Sequence, residues 1–161
     1  MKIVKNSCWG GFSLSPKAIK RLAELKGKEC YFFKSSDSDI EKYVPITLEE
    51  AEKHHMVWAF SMVWAFSVEN PNDHLPQKKD NSIKENKKFN EAWEKIALEN
   101  RPYDRTDPDL IKVVEELGGG HRTGASGPCA KLTIVEIPDG TEWEIDEYDG
   151  QETIREKHRS W

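Results

Sequence analysis

The sequence predicts an α+β (mixed α/β) fold in which a small sheet packs with helices. Three observations predict this class: an N-terminal strand–helix–strand pattern, two helices in the middle of the chain, and a C-terminal β-hairpin followed by a short helix. Residues 1–161 fit one domain, since domains commonly have ~100–150 residues. Within it we expect a mobile insert around residues 68–84 and a flexible glycine-rich loop at residues 118–128.

The N-terminal unit has the clearest pattern. Residues 2–5 and 30–33 are short, apolar-centred runs typical of strands. Between them, Ser15 is the expected N-cap of a helix, and Pro16 occupies the first helical position, where its missing N–H costs no hydrogen bond. Gly27 is the expected end of this helix. The order strand, helix, strand is the outline of a βαβ unit.

Three further helices begin at recognisable capping residues or periodic patterns. Thr47 and Glu50 match a capping box, so a short helix is expected after them. From Phe89 onward apolar residues recur with the period of an amphipathic helix. Asp107 and Pro108 repeat the arrangement of an N-cap followed by proline, which predicts the second central helix.

The C-terminal part is predicted to form a β-hairpin and a final helix. Residues 130–137 are rich in β-forming side chains, and residues 142–148 alternate between apolar and polar. The dipeptide at 139–140, Asp-Gly, is a typical hairpin turn between them. Residues 151–161 are interpreted as a short charged helix.

Residues 56–61 are repeated without change as residues 62–67. A period of six is a multiple of the strand period of two but not of the helical 3.6, which favours an extended segment. Continuation of the preceding helix stays open, because Ala and Met are good helix formers, and so does a tolerated tandem insertion. In a strand the large side chains share one face, either as core or as the seam of a homo-oligomer: Trp58, Phe60, Trp64 and Phe66.

The composition indicates a compact core under a highly charged surface. Charged residues make up 33% and hydrophobic residues 37% of the chain, and the formal net charge is −5. An acidic balance argues against non-specific nucleic-acid binding, which needs Lys and Arg against the phosphates. It leaves open an acidic surface that docks onto a basic partner.

The chain is expected to be cytoplasmic. It has no signal-peptide pattern and no apolar run long enough to span a membrane. Its three cysteines, Cys8, Cys30 and Cys129, form no CxxC pair, which indicates thiols in a reducing compartment rather than a zinc or redox site. We expect neither a cofactor nor a metal.

The first candidate site is the glycine turn before the first helix, with Trp9, Gly10, Gly11 and Ser13. A glycine-containing turn between a strand and a helix N-terminus is an anion-binding geometry, because unpaired N–H groups and the helix dipole point at the ligand. The turn lacks both GxGxxG and the Walker pattern, so no dinucleotide or NTP site is indicated. The alternative is a tight structural connection with its aromatic side chains packed inward.

The second candidate site is the link at residues 101–109. Arg101 or Arg105 offers a bidentate fork to a phosphate or carboxylate. In the alternative, Asp107 caps the next helix and Arg105 pairs with a neighbouring aspartate.

A third candidate is the acidic stretch at residues 142–149, where Glu142, Glu144 and Asp146 alternate along one strand face. They fit either a Mg²⁺ site or a basic partner, with a solvated outer face as the alternative. The sequence contains no HExxH or GxSxG motif and no recognised Ser-His-Asp pattern, so no catalytic residue is assigned.

Four segments together resemble a group of small accessory proteins of tailed phages and prophages. They are CWGGFSLS at residues 8–15, DRTDPDLI at 104–111, EIDEYDG at 144–150 and EKHR at 156–159. The doubled hexapeptide and residues 77–88 lie outside the resemblance. It implies a setting, the bacterial cytoplasm during infection, and no catalytic residues.

The resulting expectation is a non-enzymatic accessory protein that acts by binding. Its partner would be a host protein or a small anionic ligand such as a nucleotide used in defence, an inference from phage analogy. One alternative is a small metal-dependent enzyme acting on nucleotides or nucleic acid. The other is a structural protein that assembles as a homo-oligomer.

Overall fold

Four α-helices and seven strands build the part of the chain that the computed structural model describes, residues 1–35, 42–57, 63–76, 82–99 and 102–157. This confirms the α+β class. The elements in chain order are β1 (Lys2–Asn6), α1 (Pro16–Leu25), β2 (Tyr31–Ser35), β3 (Tyr43–Ile46), α2 (Leu48–Val57), β4 (Val63–Phe66), a 3-10 turn (Pro71–Asp73), α3 (Ile83–Ile96), α4 (Pro108–Leu117), β5 (Leu132–Glu136), β6 (Trp143–Tyr148) and β7 (Gln151–Glu156).

The strands form three small antiparallel sheets with the orders β1-β5, β3-β2-β4 and β6-β7. β1 pairs with β5 from Lys2 opposite Glu136 to Asn6 opposite Leu132, whereas β2 lies between β3 and β4. The predicted order of strand, helix and strand is therefore present. It is not a βαβ unit, because β1 and β2 belong to different sheets.

The helix starts agree with the predicted caps. The Ser15 hydroxyl accepts a hydrogen bond from the Ala18 backbone N–H, and Pro16 is the first residue of α1. Thr47 and Glu50 form the reciprocal capping box before α2. The Asp107 carboxylate caps α4 by accepting a hydrogen bond from the Asp109 backbone N–H. Each of these contacts spans at most three residues, which is why the sequence pattern predicts them.

The C-terminal prediction needs two corrections. Residues 151–156 form strand β7 and not a helix, and the hairpin is β6–β7, turned by Asp149 and Gly150. These two residues have φ of 49° and 85°, the paired positive values of the type I′ hairpin turn. The dipeptide at 139–140 instead connects two strands of different sheets. A proline at 138 follows the end of β5, where it cannot donate to a ladder.

The two copies of the hexapeptide have different conformations. Met56 and Val57 of the first copy end helix α2, while residues 63–66 of the second copy form β4. The preceding helix therefore continues for two residues into the first copy, and the second copy contains the predicted strand; the tandem insertion stays a hypothesis. Trp58 and Phe60 lie outside the described residues.

Two hydrophobic clusters lie on opposite faces of the β3-β2-β4 sheet. Phe32 and Ala65 face the first cluster, which α1, α4, β1 and β5 complete. Phe33 and Phe66 face the second cluster, which α3 closes with its apolar side. Phe66 is 0% exposed, so its predicted place on an oligomer surface is wrong: the chain's own core covers it. Trp64 is 36% exposed and packs edge-on against a tryptophan of α3.

Parts of both stretches expected to be mobile are packed. Within 68–84, Pro71 and Leu75 are buried, and residues 77–81 lie outside the described residues. Within 118–128, Ala125 and Ser126 are fully buried, and the Ala125 carbonyl accepts a hydrogen bond from the Ser15 N–H. This loop thus covers the start of α1.

Gly150 is the position where the hairpin turn meets the glycine turn after β1. A Cβ at Gly150 would overlap the backbone nitrogen of Gly11, whereas a Cβ at Gly140 would meet nothing within 4 Å, although its φ of 82° is nearly the same. We expect Gly140→Ala to lower the free energy of unfolding by about 1–2 kcal/mol, because alanine is strained at this positive φ. Gly150→Ala should lower the free energy of unfolding by at least ~2 kcal/mol more, because the added Cβ also overlaps the Gly11 backbone. Urea unfolding of both variants measures the difference, and equal losses would contradict the close packing.

Candidate functional site

Two backbone N–H groups of the candidate anion site, those of Gly10 and Lys17, are bonded to oxygen atoms of the chain itself. The Gly10 N–H donates to the Asp149 carbonyl at 3.0 Å, and a Cβ at Gly10 would come within 2.6 Å of the Cys129 Cβ. At the start of α1, the Lys17 N–H donates to a carboxylate oxygen of Glu52 at 2.8 Å. This helix N-terminus therefore already holds an anion, supplied by α2.

Ser13 and the two arginines have separate environments. Ser13 Oγ is buried and has no hydrogen-bond partner within the described residues. The Arg105 guanidinium lies over the Phe12 ring, 3.5 Å from its centroid, and its Nη2 donates to Glu152 Oε1 at 2.7 Å. Arg101 lies outside the described residues.

The first and second candidate sites lie next to each other, because Phe12, which follows the glycine turn, packs under the Arg105 guanidinium. The carboxylate of Glu152 occupies the place at Arg105 that the sequence predicts for a phosphate or carboxylate ligand. The side chains of this pair are only 13% and 6% exposed, so the salt bridge is nearly dry. Ligand binding at Trp9, Gly10, Gly11 and Ser13 stays a prediction.

Asn6 completes a buried polar network around Glu152. The Asn6 backbone N–H donates to Glu152 Oε2 at 2.7 Å, and its side-chain amide donates to the carbonyls of Cys8 and Gly150. Its side-chain oxygen accepts from the Lys131 N–H at 2.8 Å. Both carboxylate oxygens of Glu152 are thus bonded, and the β6–β7 hairpin is fastened to β1. Buried polar groups satisfied in this way specify one arrangement of the chain.

Sequence reasoning missed Asn6 and Glu152. A signal for Glu152 existed in the Asp-Gly pair at 149–150, because that turn fixes β7 and places Glu152 opposite Glu147. No comparable signal marks Asn6, whose partners other than Cys8 lie more than a hundred residues away.

The opposite face of the hairpin is exposed. Alternation along β6 places Glu144, Asp146 and Tyr148 on this face, and all three are exposed. Trp9 approaches from the glycine turn, with its ring centroid 6.1 Å from that of Tyr148 in an edge-to-face arrangement. Trp9 is 56% exposed and Tyr148 77%. We call these four residues the hairpin face.

The hairpin carries far more negative than positive side chains. Arg155 forms an exposed salt bridge with Asp146 at 2.6 Å, and Lys157 is the other cation. In the described parts of the chain, no group of three or more His, Cys, Asp or Glu side chains is placed to hold a metal ion. The acidic residues from position 142, just before β6, to the end of β7 are Glu142, Glu144, Asp146, Glu147, Asp149, Glu152 and Glu156.

A small cleft lies beside β2 and contains Cys30. Its volume is about 180 Å³, below the ~300–1,000 Å³ of usual ligand pockets. Burial raises the pKa of the Cys30 thiol to about 12, so the thiol is neutral at physiological pH and is a poor nucleophile. Lys20, Tyr31 and Glu69 provide the polar part of the lining.

No family model, curated protein or solved structure matches this chain. No helix of the described segments has the length and apolar character needed to cross a membrane. Function is therefore inferred from the geometry of the chain itself.

Glu152→Ala should lower the free energy of unfolding by about 3–5 kcal/mol, because it leaves the Arg105 guanidinium buried beside an empty position. Asp146→Ala removes a salt bridge of similar length from the same hairpin and is the matched control. Since Asp146 and Arg155 are both exposed, Asp146→Ala should lower the free energy of unfolding by less than ~1 kcal/mol. Urea unfolding measures both values. Similar losses would mean that the buried pair does not anchor the hairpin.

Cys30 should resist alkylation in the folded protein. With a pKa of about 12, its thiolate fraction at pH 8 is roughly a thousandfold below that of an ordinary cysteine. Iodoacetamide labelling followed by peptide mass spectrometry should find Cys30 unmodified in the native chain and modified in urea. Rapid native labelling of Cys30 would contradict its burial.

Proposed function

We propose that this chain is a small phage-type accessory protein of the bacterial cytoplasm that binds a basic host protein through the hairpin face. The observation that carries the proposal is the exposed Trp9–Tyr148 pair at the end of an acidic two-stranded sheet. Binding would inhibit the host protein by covering its basic surface.

The aromatic pair has the properties of a binding anchor. Tryptophan and tyrosine dominate the energetics of protein interfaces, because each buries a large area and loses few rotamers. The pair is also held in place, since Trp9 precedes a glycine bonded to the Asp149 carbonyl. A partner would therefore meet a preformed platform and would spend little free energy on ordering it.

The charges around the pair favour a basic partner. Glu144 and Asp146 lie on the same face as Tyr148, and acidic groups at an interface accelerate association with a basic surface and select against acidic ones. The faces of Trp9 and Tyr148 add cation–π sites for lysine and arginine side chains. Charge and aromaticity thus select one class of partner.

Capture of an anionic ligand receives less support from the described residues. The Arg105 guanidinium is engaged with Glu152, and the α1 N-terminus is engaged with Glu52. A phosphate at either place would have to displace an internal carboxylate. The resemblance to tailed-phage accessory proteins supports the setting, with counter-defence as one outcome of host-protein binding.

The test compares proteins captured from bacterial lysate by the immobilised full chain. The double variant Glu144→Lys/Asp146→Lys reverses the charge of the hairpin face. Glu29→Lys/Glu91→Lys makes the same change in net charge at two exposed positions elsewhere. We expect the hairpin variant to lose captured basic proteins at least about tenfold in quantitative mass spectrometry, and the control to retain them.

Trp9→Ala should reduce capture by about tenfold or more, as expected for an aromatic anchor. Capture should also weaken as salt is raised, because the contribution of exposed charges is screened. Equal capture by the wild type and all variants would refute binding through the hairpin face.

A further inference from the structure

The β6 strand has an open edge. In a two-residue hairpin the residues that flank the turn are hydrogen-bonded to each other, and every second pair after them is bonded too. Tyr148 and Gln151 flank the turn, and the Lys157 N–H donates to the Glu142 carbonyl at 2.9 Å in the same alternation. The backbone groups of Trp143, Ile145 and Glu147 therefore point away from β7.

These outward backbone groups face no other strand in the part of the chain that the structure describes. Among the described residues, β7 is the one strand that pairs with β6. No hydrogen bond within the described chain reaches the backbone N–H or C=O of Trp143, Ile145 or Glu147. Such a row of donors and acceptors is a template for one more strand.

We propose that the basic partner of the hairpin face supplies this strand: an extended segment, alternating basic and apolar residues, adds to the edge of β6 as a third strand. This inference rests on the proposed function. Strand addition would take its affinity from main-chain hydrogen bonds and its specificity from the side chains on each face.

The alternation of the partner follows from the two faces of β6. On the outer face, an added strand would place side chains beside Glu144 and Asp146, where opposite charges stabilise a cross-strand pair. On the inner face, it would place them beside Trp143 and Ile145, which are half-buried and apolar. Basic and apolar positions must therefore alternate in the partner with the strand period of two.

The same charges disfavour a second copy of this chain as the occupant. Two β6 edges brought together would set the acidic residues of one against those of the other, and like charges opposite each other destabilise strand pairing. Charge complementarity thus selects a basic segment over self-pairing.

The experiment measures binding of fluorescent peptides to the full chain by anisotropy at low salt. The probe is a capped peptide of about eight residues that alternates Lys and Val. One comparison peptide has the same composition with the lysines and valines in separate blocks, and the other has every backbone amide N-methylated. We expect the alternating peptide to bind at least about tenfold more tightly than either comparison peptide.

A protein variant tests the edge from the other side. Ile145→Pro removes one outward N–H and leaves the bonds to β7 in place, while Ile145→Val keeps the N–H and a branched side chain. Proline should weaken alternating-peptide binding about tenfold or more, and valine should change it less than about twofold. Far-UV circular dichroism verifies that both variants keep the hairpin. If the proline variant misfolds, the comparison of the alternating and N-methylated peptides still tests the edge, because it uses the unaltered protein.

Two results would overturn the inference in different ways. Equal binding of all three peptides, still lost in Glu144→Lys/Asp146→Lys, would refute strand addition and leave basic-partner binding intact. No binding of any peptide, together with unchanged lysate capture by the charge-reversed variant, would refute both.

Discussion

The buried carboxylate of Glu152, held between Asn6 and Arg105, joins the β6–β7 hairpin to strand β1 and to the link before α4. A two-stranded hairpin is at best marginally stable alone in water, so β6 and β7 depend on what fastens them to the rest. Glu152 does so with one oxygen on the β1 backbone and the other on the link before α4. The dry surroundings strengthen both bonds and make the loss of either partner costly.

That anchor also separates the two faces of the hairpin by chemistry. Glu152 and Gly150 turn toward β1 and the glycine turn, and their contacts use up polar groups that would otherwise suit an anion. The outer face is left to Tyr148, which meets Trp9 because the glycine turn is bound to the same hairpin. The ion pair with Glu152 thus occupies Arg105 on one side of the hairpin, while the hydrogen bond from Gly10 to the Asp149 carbonyl holds Trp9 beside Tyr148 on the other.

The sequence predicts contacts between residues that are close along the chain and misses contacts between residues that are far apart along it. Caps such as Ser15 and Asp107 act within one helical turn, so a local pattern is enough. The partners of β1 and of Arg105 lie far along the chain, and no spacing rule reaches them. The two Asp-Gly pairs have glycines of similar φ, yet only the one at 149–150 joins strands of equal length in register. The repeated hexapeptide makes the same point, since Val57 of the first copy ends a helix and Val63, at the equivalent position of the second copy, begins a strand.

An unpaired strand edge is a hazard that proteins commonly limit with charged side chains, bulges or covering segments. Here Glu144, Asp146 and Glu147 lie along β6, and their mutual repulsion across a dimer makes self-pairing unfavourable. The same acidic side chains attract basic ones, so in the proposed complex the charges that oppose self-pairing favour a basic strand at this edge. The acidity of the hairpin thus disfavours pairing of two β6 edges, and in the proposed complex the same charges select a basic strand.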